Sequence, residues 1–136
     1  TTFLYLPKNQ IFNLFFDFIL IACVFHHIDN KLHLKLIKEC YRVLKPGGRI
    51  YFFEHNPWNI LMKKLVEKCP FDKDAELLNS IYSRNLIKAA GFTKIKKRYT
   101  LFLPRYTFFR PLFFLEKLFT FIPVGGQYYI SAIKLF

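Results

Sequence analysis

Two short runs of this 136-residue chain hold side chains suited to chemistry, His26-His27 and Glu54-His55-Asn56. An imidazole placed beside an acceptor can take its proton as a general base. Adjacent residues leaving a strand point in different directions, so only one of His26 and His27 is expected to face a pocket, with the other packed or solvated. Glu54, His55 and Asn56 could contact the acceptor, and their competing use is to hydrogen bond the turn at Pro57. No metal site is expected. His33 reads onto a helix, and no carboxylate or cysteine completes a known ligand spacing with His26, His27, His33 and His55.

The elements that must position these groups form one βαβ unit, Phe16–Asn56. Phe18–Phe25 is a nearly unbroken apolar run that suits a parallel strand covered on both faces. Asp29 stands as the N-cap of a helix in which Leu32, Leu36, Ile37, Cys40, Tyr41 and Leu44 repeat at helical spacing. Lys45 suits the negative end of its dipole, and Pro46, Gly47 and Gly48 stop it. Arg49–Phe53 resumes a β-prone strand. Strands joined through a helix run parallel, with a right-handed crossover. Ligands bind beyond the carboxyl ends of such strands. Ala22, Cys23, His26 and His27 leave one end, and Glu54, His55 and Asn56 leave the other. Asp17 lies at the opposite end and reads as a structural or turn residue.

The run from Phe16-Asp17 through His26-His27-Ile28 to Arg42-Val43-Leu44-Lys45-Pro46-Gly47-Gly48 and Glu54 resembles the second half of class I S-adenosylmethionine-dependent methyltransferases. The resemblance implies an α/β fold with a Rossmann-like methyltransferase sheet. Strands four to seven would be present with flanking helices, the N-terminal strands absent, and the last strand antiparallel between the fifth and sixth. It implies S-adenosyl-L-methionine as cofactor and methyl transfer to a small-molecule acceptor. In that chemistry the sulfonium drives the reaction, and the protein aligns the groups and removes a proton. His27 matches the position more regularly seen in the family and His26 its variable neighbour; both are candidate catalytic residues. Ala22 and Cys23 would give backbone contacts to the cofactor, and Glu54, His55 and Asn56 would contact the acceptor. The family's glycine-rich loop and the acidic residue ending its second strand are not found. Gly47, Gly48, Gly91, Gly125 and Gly126 all lie downstream of the first strand, so the chain carries at most half of the cofactor site.

The chain reads as one partial domain, 1–136: a lead-in (1–15), the central unit (16–56), helices and a sixth strand (57–103), an aromatic helical insert (104–126) and a last strand (127–136). Pro57 is expected to start a short helix marked by Leu61, Leu65 and Val66. Asp72–Leu78 reads as a polar linker, and Ser83 as the cap of a helix that Gly91 ends. Ile95–Leu103 suits an edge or antiparallel strand. Gly125 and Gly126 allow the chain to reverse into the last strand. The insert either caps the pocket or offers a surface to lipid or protein, with Arg105 and Arg110 facing anionic headgroups.

Hydrophobic residues make up 53% and aromatics 20% of the chain, a composition that excludes disorder. With 21 Lys plus Arg against 9 Asp plus Glu, the net charge is +12. Such a charge can steer an anionic partner, yet no nucleic-acid motif accompanies it, and nucleic-acid binding ranks last. Cys23, Cys40 and Cys69 are odd in number and lack Cys-x-x-Cys spacing, which points to a reducing, cytoplasmic setting. No apolar run reaches the roughly 20 residues of a membrane span. Starting at Thr1, the chain reads as a fragment whose exposed strand edge calls for a partner, either the N-terminal half of the fold or a second copy. The competing function is a catalytically inactive remnant or accessory module that binds a protein or makes peripheral membrane contact through its aromatic insert.

Overall fold

The computed structural model describes residues 15–72, 75–102 and 119–135. The chain runs β1 (Phe16–Ala22), α1 (Asn30–Val43), β2 (Leu44–His55), α2 (Ile60–Lys68), α3 (Ser80–Ala89), β3 (Thr93–Thr100) and β4 (Gln127–Ile133), with 3-10 turns at Phe25–His27 and Pro70–Asp72. The strands form one sheet in the order β1-β2-β4-β3. β1 and β2 are parallel, and β4 is antiparallel to both β2 and β3. The α/β, Rossmann-like sheet is therefore present, with its last strand inserted between the two before it. The lead-in 1–14 and residues 104–118 of the aromatic insert lie outside the described residues; 119–126 form a series of turns into β4.

Strand side chains alternate between faces, and register decides which ones meet. Ile50, Phe52 and Glu54 of β2 stand opposite Ala132, Ile130 and Tyr128 of β4, and all six are buried. The apolar members pack with Ile37 of α1 and with Leu86 and Ile87 of α3 in one core. Glu54 thus belongs to the buried face by register, two residues along from Phe52.

Several expectations need correction. The first strand stops at Ala22, because Cys23 adopts φ 52 and the chain turns into the 3-10 segment. Nor is β1 covered on both faces. Phe18 is 65% and Leu20 59% exposed, and β1 pairs only with β2 among the described residues. On α1 the buried stripe is His33, Ile37 and Val43, whereas Leu32 and Leu36 are exposed. The helix does end at Val43, but Lys45–Gly48 fall inside β2 as a bulge opposite Asp17, since Phe16 pairs with Leu44 and Phe18 with Arg49. Gly47 takes φ +79 there, a backbone conformation that glycine tolerates best.

The cation at the carboxyl end of α1 is Lys134, not Lys45. Its buried ammonium donates to the carbonyls of Tyr41 (2.7 Å) and Leu44 (2.8 Å), where the helix dipole is negative. Burial lowers the Lys134 pKa, and the Arg42 charge adds to the effect. Lys45 instead pairs with Asp17 at 2.8 Å on the surface, an arrangement that contributes little in water.

Helix starts also shift. Asn59, not Pro57, caps α2 by accepting from Met62 N, and Asn79, not Ser83, caps α3 by accepting from Ile81 N and Tyr82 N. Ser83 lies inside α3, with its hydroxyl 2.7 Å from that of Tyr128, which itself donates to Leu78 O. Among the described residues no helix is long and apolar enough to cross a membrane.

Gly125 is glycine for want of space. A Cβ there would lie 2.5 Å from Thr100 O and 3.0 Å from Thr100 N, both backbone atoms that cannot rotate away. Gly125→Ala should cost about 1–3 kcal/mol, read as a lower urea midpoint at unchanged m-value; an unaltered midpoint would show that the β3–β4 entry is loosely packed.

Candidate functional site

β1 and β2 end side by side, and the site is built where they end. Glu54, next to last in β2, directs its carboxylate under the connection that leaves β1. Oε1 accepts from Val24 N (3.1 Å) and Phe25 N (2.8 Å), and Oε2 accepts from His26 Nδ1 at 2.5 Å. Glu54 is 0% exposed. A buried carboxylate is costly unless it is paired and hydrogen bonded. Here the two backbone donors fix the 3-10 turn, and the turn delivers the imidazole.

That turn also overrides the expectation that His26 and His27 diverge. A 3-10 turn replaces strand alternation, and the two rings lie 4.1 Å apart. Both face Asp72, with its Oδ1 3.7 Å from His26 Nε2 and 3.2 Å from His27 Nε2. His26 is buried, whereas the His27 side chain is 38% exposed. Burial alone would lower the His26 pKa; the hydrogen bond and charge of Glu54, joined by Asp72, outweigh it and hold the pKa above the ordinary histidine value. Asp72 is held below the usual carboxylate range by a hydrogen bond from the Cys69 side chain and by the three neighbouring histidines, against the opposing effect of burial.

Asp72 is the residue that sequence reasoning missed. It sits in the second 3-10 turn, and the segment after it is anchored by Glu76 N donating to His26 O at 2.8 Å. The available cue was scarcity, since the chain has only 9 carboxylates. An open cleft of about 470 Å³ runs from Asp72 past Pro57, Lys63, Val66 and Glu76, a volume in the range of small-molecule sites.

The remaining candidates separate. His55, the next residue of β2 after Glu54, stays near the cluster, with its ring 5.3 Å from that of His26 and its Nδ1 3.5 Å from Gln127 Nε2; burial and then the His26 charge lower its pKa. Asn56 is buried and fully engaged: its amide donates to Pro123 O (2.9 Å) and Gly125 O (2.8 Å), and its carbonyl oxygen accepts from Trp58 N. It clasps the turn before β4 and has no group left for an acceptor. Glu54 likewise spends both oxygens internally. Ala22 is exposed at the open end of β1. The Cys23 N–H donates to Phe53 O and is not free for a ligand; its thiol accepts from Gln127 Nε2 at 3.6 Å. Burial, helped by Glu54 and Asp72, pushes that thiol up to about 11. His33 is structural. Its Nε2 lies 3.0 Å and 2.9 Å from the carbonyls of Phe25 and Ile28, and its Nδ1 meets the Tyr82 hydroxyl.

Residues 10–52 match the family described as methyltransferase domain. An uncharacterized protein of Methanocaldococcus jannaschii is 37% identical over 90 residues, which cover 64% of this chain and 43% of that protein. An uncharacterized methyltransferase of Schizosaccharomyces pombe is 37% identical over 91 residues, covering 57% and 35%. A solved structure of a SAM-dependent methyltransferase from Archaeoglobus fulgidus superposes with TM-score 0.66 at 17% identity, over 90% of this chain and 61% of that one. The likeness at that identity is one of fold. The chain thus has the fold of part of a class I methyltransferase domain, a family whose cofactor is S-adenosyl-L-methionine, and it spans less than half the length of these two curated relatives. The open carboxyl end of β1, where Ala22 is exposed, leaves room for one side of such a cofactor, and the chain's five glycines do not form the glycine-rich loop that would hold its other side.

Removing one partner of a buried pair leaves the other uncompensated, so Glu54→Ala should destabilise the chain by about 3–5 kcal/mol in urea unfolding. A loss under 1 kcal/mol would mean that the pair is not closed in solution. With its pKa near 11, Cys23 should be roughly one part in a thousand thiolate at pH 8. Iodoacetamide should therefore label it slowly there and faster as pH approaches 11; rapid labelling at pH 7 would contradict the burial assigned to it.

Proposed function

We propose that this chain is the C-terminal part of a class I methyltransferase domain that transfers a methyl group from S-adenosyl-L-methionine to a small-molecule acceptor, with His27 as the base. One observation carries the assignment of the base. Of the two imidazoles at the open end of the β1–β2 pair, His27 is part-exposed and bonded only through Nε2 to Asp72, whereas His26 is buried against Glu54.

When bound, the cofactor supplies an electrophilic methyl group, so the protein's task is alignment and proton removal. His27 Nε2 lies 3.2 Å from Asp72 Oδ1; with its proton on that nitrogen, turned to the carboxylate, Nδ1 would keep the lone pair that takes the acceptor's proton. Glu54 is a positioning residue that holds His26 and the turn carrying His27. In this reading Ala22, exposed at the end of β1, would line the amino-acid end of the cofactor, Cys23 would add contact but not its N–H, which Phe53 O already takes, and the cleft beside Asp72 would admit the acceptor.

The open backbone edge of β1 is the natural seam for the strands that carry the glycine-rich loop, and the exposed Phe18 and Leu20 on its face are apolar surface that such a part would help cover. They would be supplied by the N-terminal part of the same domain or by a second chain. That same bare edge supports the alternative of an inactive accessory module, in which a protein partner covers it.

Calorimetric titration with S-adenosyl-L-methionine, together with S-adenosyl-L-homocysteine release by the domain with its N-terminal part, tests the reading. Saturable binding is expected, and His27→Gln should lower kcat by about 10²–10⁴-fold while leaving cofactor affinity within about twofold. An unchanged kcat would remove His27 as the base, and absence of binding by the completed domain would leave the accessory module.

A further inference from the structure

Three donor atoms at the mouth of the site stand close enough to share one cation. His26, His27 and Asp72 each offer one ligand atom, and these atoms lie within 4.8 Å of one another; Asp72 Oδ1 is 3.7 Å from His26 Nε2 and 3.2 Å from His27 Nε2. Ligands bound at about 2.0–2.2 Å are separated by about 3.0–3.5 Å at tetrahedral or octahedral angles. The two gaps to Asp72 need little contraction. We propose that His26, His27 and Asp72 form a site for a divalent transition-metal ion of the Zn²⁺ or Co²⁺ class.

The support behind these atoms is what distinguishes them from a chance surface cluster. His26 Nδ1 donates to Glu54 Oε2 at 2.5 Å, and Glu54 is itself held by the Val24 and Phe25 N–H groups. The proton is thereby fixed on Nδ1, and the Nε2 lone pair is directed toward Asp72. A carboxylate behind a ligating imidazole is the arrangement that orients metal-bound histidines and raises their basicity. Asp72 is placed in turn by its own N–H, which donates to Cys69 O at 3.1 Å. The carboxylates of Glu54 and Asp72 bring negative charge to the cluster that a divalent ion offsets. Two nitrogen ligands favour zinc or cobalt over magnesium or calcium, which prefer oxygen.

The site is also open. The side chains of His27 and Asp72 are 38% and 16% exposed, which leaves positions for water or a ligand oxygen, as in reactive metal sites. A bound ion occupies His27 Nε2 and confines the ring proton to Nδ1, so the ring cannot serve as a base while the metal is present. Metal binding and the proton transfer proposed above are alternative uses of one cluster, and the metal site does not depend on the methyl-transfer reading.

The test uses metal-free full-length chain without a histidine tag, titrated with Co²⁺ alone and then Zn²⁺ alone at pH 7.5 and followed by cobalt visible absorption and calorimetry. One ion per chain is expected. Asp72→Asn and His27→Gln should each weaken binding at least tenfold, and Glu54→Gln by about ten- to 100-fold. Because Glu54→Gln can also loosen the fold, the decision rests on the two more exposed positions, in variants whose circular dichroism matches the parent. No saturable binding overturns the proposal. So does a site that survives both substitutions, or one that vanishes only when the three cysteines are replaced by serine.

Discussion

The buried Glu54 carboxylate is the constraint from which the rest of the site follows. Water cannot solvate it, so its oxygens must find donors within the chain, and they find three: Val24 N, Phe25 N and His26 Nδ1. The geometry allows this only if the chain leaving β1 turns at once and returns its amides over the end of β2. The tight turn, the burial of His26, the exposure of His27 and the start of α1 at the Asp29 cap are consequences of satisfying one charge.

Register places the carboxylate there. Glu54 shares its face with Ile50 and Phe52, opposite Tyr128, Ile130 and Ala132, so the alternation that builds the core brings a charged residue to the rim. Tyr128 closes the far side by tying Leu78 and Ser83 together, and Asn56 with Asn59 secures the turn into β4. The polar groups around the site are therefore mostly committed, which narrows what can meet a ligand to His26 Nε2, His27, Asp72 and the exposed end of β1. The opposite edge of the sheet is built without such commitment. β1 pairs only with β2 among the described residues, so its other backbone edge is open to receive a strand, and Phe18 and Leu20 lie exposed on its face.

Much of this was legible in the residues, because apolar periodicity and capping are local. The βαβ unit, the Asp29 cap and the insertion of the last strand could all be read from pattern and resemblance. What was misread depended on partners distant in sequence. Lys134 reaches α1 from 90 residues away or more, a distance that hides its role and left Lys45 as the apparent cap. Ser83 looks like a cap until Tyr128 is placed beside it. His26 and His27 diverge on a strand but converge on a 3-10 turn, and the cause of that turn, Glu54, lies some 28 residues ahead. Asp72 carried no motif, since only the folded chain brings it to the histidines.

The most direct measurement is a long-range ¹H–¹⁵N spectrum of the histidine side chains, assigned through His26→Gln. The account predicts that His26 carries a proton on Nδ1 that exchanges slowly with water and resonates far downfield, and that Glu54→Gln moves it upfield and speeds its exchange. A His26 ring protonated only at Nε2, or an Nδ1 proton indifferent to Glu54→Gln, would contradict the pair on which the site is built.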